Sequence, residues 1–98
     1  MSNPDEQLFW DTVDSFIEQA NSACEQMEPS AASAALLHAA ARFSAFVVAS
    51  SSIDRKEYIE EMDASLNYLT NQYRELLRDN LEDYRENYKI YIKVDEDS

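Results

Sequence analysis

Between Ser30 and Ser52 lie 23 residues of which 15 are Ala or Ser and only Arg42 carries a full charge, in a chain of 98 residues without a single glycine. Ala is the strongest helix former, and small side chains let backbones approach closely. The stretch therefore predicts a helix packed at short range against amphipathic segments on either side. With no glycine in the chain, the turns are expected at Pro29–Ser30 and at Ser50–Ser52.

The flanking segments differ in charge. Residues 1–30 hold seven acids and no base, residues 31–53 hold Arg42 alone, and residues 54–98 hold thirteen acids against seven bases, for a net charge of −12. A field of that sign repels phosphate backbones, which excludes ordinary nucleic-acid binding and disfavours anionic membrane surfaces. A basic protein partner is compatible with it. The Ala/Ser stretch is not read as a membrane span, because His38 and Arg42 fall near its middle and much of it is Ser. Met1 to Glu6 is acidic and lacks a basic, then apolar, leader pattern, so a cytoplasmic location is expected. Cys24 is the only cysteine. That excludes an internal disulfide and a multi-thiolate metal site, and the thiol is expected to be buried and inert.

Three helices follow from periodicity and caps. Asn3 as N-cap, Pro4 at the first helical position and Glu6 three residues after the cap start the first, whose apolar positions Phe9, Val13, Phe16, Ile17, Ala20, Cys24 and Met27 recur every three or four residues. It must stop by Glu28, ahead of Pro29. Ser30 caps the second, with Leu36, Phe43 and Val47 on its inner face and Ala41 or Ala45 marking a close helix crossing. Asp54 with Glu57 opens the third, in which Ile59, Met62, Leu66, Leu69, Tyr73, Leu77, Leu81, Tyr84 and Tyr88 keep helical spacing with no breaker. From Lys89 to Val94 apolar and polar residues alternate, which predicts a short extended arm, and residues 95–98 form an acidic tail. The expected architecture is one all-α domain, 1–98. It is a three-helix antiparallel bundle with helices at about 4–27, 31–51 and 54–88, a long third helix and a short extended C-terminal arm.

Chemistry is sparse. The single histidine, His38, has no Glu three residues before it and no Ser at i,i+4, so neither a ferritin-like metal set nor a Ser–His pair can be assembled within one chain. Glu57 with Glu61, or Asp79 with Asp83, stack at i,i+4, as solvated acidic helix faces commonly do. A glycine-rich phosphate loop is impossible. No catalytic, metal-binding or cofactor-binding residue is expected, and no cofactor. The aromatic residues are more telling: all six tyrosines follow Arg55, and Tyr84, Tyr88 and Tyr91 repeat at i, i+4, i+7. With Leu81 they lie where the third helix outruns its shorter neighbours, which points to a homodimer interface built on Leu81, Tyr84, Tyr88 and Tyr91. The competing account bends the chain after about Asn80 and folds the tyrosines back on the monomer.

The words SAALLHAAARFSAF (33–46), YRELLRDNLEDY (73–84) and FWDTVDSFIEQAN (9–21) together resemble the domain of unknown function 3144, a grouping of small bacterial proteins. The resemblance implies a small soluble all-helical protein, and it brings no activity, ligand or catalytic residue with it. Three function classes stay open: a helical interaction or adaptor module that self-associates, an acidic mimic of nucleic acid or regulator that binds a basic partner, and an enzyme or metal-binding bundle.

Overall fold

The computed structural model describes residues 3–92, and every regular element in them is helical. The elements are α1 (Pro4–Ala23), α2 (Pro29–Ser51), α3 (Arg55–Glu86) and the four-residue α4 (Tyr88–Tyr91). The fold is all-α, with three long helices and a short fourth. The chain divides after Ser50 into two units. The expected acidic tail, residues 95–98, and the last two residues of the expected arm, 93–94, lie outside the described residues.

In the first unit α1 begins where the sequence marks it: extended Asn3 accepts a hydrogen bond from the Glu6 amide on its side-chain oxygen at 2.7 Å, and Pro4 takes the first helical position. The pair satisfies one orphan donor and wastes none, since Pro has no N–H to leave unpaired. Regular helix stops at Ala23, four residues before the expected end. The chain then winds on through isolated turns in which the Cys24 amide reaches Ala20 O and the Met27 amide reaches Ala23 O. Pro29 opens α2 instead of sitting in a turn before it, and the Glu28 carbonyl accepts from both the Ala31 and Ala32 amides. Pro at the first position of a helix has its φ already set, which is why α2 begins two residues earlier than Ser30 capping would have it.

Three expectations for this unit are corrected. Leu36 and Phe43 do not lie in a core: Leu36 is 39% and Phe43 67% exposed, and Phe43 instead rests against Phe46 with ring centroids 6.0 Å apart. Ala41 and Ala45 are exposed as well, because α1 and α2 do not pack side by side and no crossing forms at those ridges. Among the described residues only Ala32, 4% exposed and close to the corner, is buried. Cys24, expected to be buried, is exposed for the same reason: it caps the end of α1, and no helix lies across it.

In the second unit Asp54 is the N-cap, accepting from the Glu57 amide at 2.9 Å, while the Glu57 carboxylate accepts from the Ile53 amide at 2.8 Å. That reciprocal arrangement is the capping box expected from the sequence, with the return bond taken one residue earlier. From there α3 runs 32 residues, about 48 Å at 1.5 Å per residue. The bend sought near Asn80 is absent: Asn80 stays helical and its side-chain amide donates back to Leu76 O at 2.8 Å. The helix ends at Asn87, seven residues later, and residues 88–91 wind into α4 instead of extending as an arm. Local hydrogen bonds decide it, since the Ile90 and Tyr91 amides both find Asn87 O and the Ile92 amide finds Tyr88 O, bonds that a lone strand without a partner would forgo. Ile92 alone, at φ −103° and ψ 99°, is extended.

Candidate functional site

The C-terminal half of α3 carries an open groove with the shape of a binding surface. Thr70, Tyr73, Leu77 and Leu81 follow one another at three- and four-residue steps and make the floor of an open groove of about 640 Å³. Arg74, Arg78 and Arg85 rise along one rim, with Glu82 among them. Helical periodicity accounts for both rows: at about 100° per residue the floor positions fall on one arc and the three arginines on the next. The floor is uncovered, with Leu81 61% exposed.

The arginines are short of partners. Arg85 reaches only its neighbour Glu86, at 3.2 Å, and both side chains are largely solvated, so that pair contributes little. Among the described residues Arg74 and Arg78 make no ion pair. Three guanidinium groups in a row beside an apolar floor, on a chain of net charge −12, form a local reversal of sign.

Beyond the groove, α4 turns back on the last turn of α3. The Tyr91 hydroxyl donates to Asp83 Oδ2 at 2.8 Å, and the Asn87 side-chain amide donates to Asp83 Oδ1 at 2.9 Å and to Asp83 O at 3.2 Å. The Tyr84 and Tyr91 rings stack at 4.5 Å with planes 43° apart. Hydrogen bonding to the Asp83 carboxylate raises the Tyr91 phenol above its ordinary value of 10.0, and partial desolvation and the negative charge of Asp83 push the same way.

Of the four sequence-derived interface residues, Tyr84 and Tyr91 are brought together, each still 45% exposed, and Leu81 joins the groove floor. Tyr88 starts α4 and stays exposed. The Tyr84–Tyr91 pair was foreseeable from the i, i+7 spacing, but its lock through Asp83 and Asn87 was not, since it depends on where α3 breaks. The arginine rim was also missed, although Arg74, Arg78 and Arg85 repeat at i, i+4, i+11.

The carboxylate pairs are otherwise engaged. Glu57 belongs to the α3 cap and Asp83 to the α4 lock, which leaves neither Glu57 with Glu61 nor Asp79 with Asp83 as a matched pair facing outward. Among the described residues no group of three His, Cys, Asp or Glu side chains is close enough to hold a metal ion. His38 lies exposed on α2. By length and composition α2 is apolar enough to cross a membrane, with a mean hydropathy of 1.5 over its most apolar window. Core helices of soluble proteins meet the same test.

The model of a family described as "Protein of unknown function (DUF3144)" matches residues 9–85, and the chain belongs to that family. No curated protein and no solved structure matches it.

Proposed function

We propose that this member of the DUF3144 family is a non-enzymatic helical interaction module that associates with a copy of itself, in the cytoplasm of a bacterium. The observation that carries the proposal is the uncovered apolar face of α3. The described residues of its unit form one long helix and a four-residue turn, and among them nothing covers Ile59, Met62, Leu66, Tyr73, Leu77 and Leu81. Apolar surface of that extent stabilises a structure only when removed from water, at about 25 cal/mol per Å². α1 and α2 have 20 and 23 residues to the 32 of α3, so neither is long enough to cover the whole stripe even if laid along it. A twofold partner covers both projecting ends at once.

The test is the mass of the full chain in solution. Sedimentation at micromolar concentration is expected to give twice 11.3 kDa, and Leu81→Glu is expected to shift it toward the monomer. Leu81 is the better variant, because Tyr84→Glu also removes the ring against which Tyr91 stacks. A monomer unaffected by Leu81→Glu would remove the proposal. Tight capture of a basic protein by the monomer would instead favour the acidic-regulator reading.

A second reading comes from α2, whose length and apolarity suit a bilayer. His38 and Arg42 near its middle argue against it, since a charged side chain at bilayer depth is expensive without a partner. Cell fractionation decides the matter: recovery in membranes that withstands carbonate extraction would support the span.

A further inference from the structure

We propose that the arginine-rimmed groove of α3 is the seat for α1 of a second copy of this chain. The inference rests on the self-association proposed above and names the two segments that meet.

Charge complementarity selects the occupant. The groove offers an apolar floor of Tyr73, Leu77 and Leu81 beside Arg74, Arg78 and Arg85, the first two of which have no ion-pair partner among the described residues. Its complement is an amphipathic helix with an acidic flank. The chain contains one: α1 carries Asp5, Glu6, Asp11, Asp14 and Glu18 with no base, alongside exposed Phe9, Phe16 and Ile17. At about 100° per residue Asp14 and Glu18 fall on the arc next to Ile17, as the arginines fall on the arc next to Leu81. The other long helix does not qualify, since α2 has no acid at all and a base, Arg42, of its own.

Length selects the second copy over the chain's own α1. α1 has 20 residues to the 32 of α3, so laid along α3 from its first residue it would reach only to about the twentieth, near Arg74. Arg78 and Arg85 lie beyond that reach, while Asp5, Glu6 and Asp11 would run alongside Glu57, Glu60 and Glu61, acid beside acid. An α1 arriving from a twofold-related copy is free of both limits and meets the arginine end of α3. The twofold repeats the contact, so each dimer contains it twice.

The experiment uses two full-length variants, one with Asp14→Lys and Glu18→Lys, the other with Arg74→Glu and Arg78→Glu; all four side chains are exposed. Each alone is expected to weaken self-association by at least about tenfold, read by sedimentation. An equimolar mixture is expected to recover it, because the mixed dimer pairs Lys with Glu at one contact and the native acids with arginine at the other. Circular dichroism checks that each variant is helical. Asp14→Asn with Glu18→Gln, a gentler change, is expected to weaken association by about threefold if the reversed chain fails to fold. Unchanged association in every variant would overturn the inference and leave self-association standing. Loss of thermal stability in each variant, with no recovery on mixing, would place α1 on its own chain and overturn it too. A wild-type monomer at all concentrations would overturn both proposals.

Discussion

Asp83 accepts four hydrogen bonds from two residues of the terminal turn, two on its carboxylate and two on its backbone oxygen. One of them comes from a phenol whose proton it holds. The sign of the resulting pH dependence follows from the raised Tyr91 value: a group that keeps its proton more tightly when folded contributes its stabilisation below the ordinary 10.0 and loses it as pH rises through the folded value. Raising the pH above about 10 is therefore expected to free the Tyr84–Tyr91 stack before the long helices melt. Near-UV circular dichroism should show this loss in the wild type and show it already gone at neutral pH in Asp83→Asn, which cannot accept the same charge-assisted bond. A wild-type signal flat between pH 9 and the unfolding of the helices would count against the lock. At the other end of the same helix, Asp54→Ala removes the acceptor of the Glu57 amide and is expected to cost about 1 kcal/mol, measured by chemical denaturation.

At the scale of elements, the caps and breakers were the most legible part of the sequence. Asn3, Pro4, Pro29, Asp54 and Glu57 each act through bonds between residues three or four apart, so the local order of side chains suffices to place them. The ends without such a marker were the ones misplaced. α1 carries apolar spacing to Met27, yet it loosens after Ala23 because no base in its last turn and no glycine beyond it stabilises a longer helix. The alternation from Lys89 to Val94 read as an arm, but a strand needs a neighbour and a helical turn needs only Asn87 O. Pro29 is the element-scale test. Pro29→Ala removes the steric bar on Glu28 and restores an amide N–H at residue 29 that can bond back toward Glu25 O, so α1 and α2 are expected to merge. Helix content should rise by several residues; no change in far-UV circular dichroism would mean that the corner is held by something else.

Across the whole molecule, periodicity identified which residues are apolar neighbours and failed to say what covers them. Leu36 and Phe43 share a face of α2 as expected, but a pattern within one helix contains no term for the surface it meets, and that surface is missing from its own unit. The same gap hid the arginine rim, since a row of bases beside an apolar floor acquires meaning only with an acidic partner outside the helix. If the uncovered faces are closed by a second copy, stability must depend on concentration. Phe43→Ala then supplies a whole-molecule prediction. Left in water, an exposed ring costs less than about 0.5 kcal/mol to remove, whereas a ring covered on assembly costs about 3 kcal/mol or more. The melting temperature of the wild type is expected to climb with protein concentration while that of Phe43→Ala lags increasingly behind. Equal melting temperatures for both proteins over a hundredfold range would leave Phe43 in solvent at every concentration.

No residue described here adopts a positive φ, and the chain has no glycine with which to do so at low strain. Corners of that kind impose no chirality test on a newcomer. Asp54 is held by its cap, but any amino acid other than proline that mutation delivers to residues 24–28 or 52–53 can take up the backbone there without a positive φ, and insertions of a residue meet no strained geometry to break. Heritable variation can thus accumulate at the joints almost unfiltered, and selection is left to act on the faces: the floor of the α3 groove, its arginines and the acids of α1.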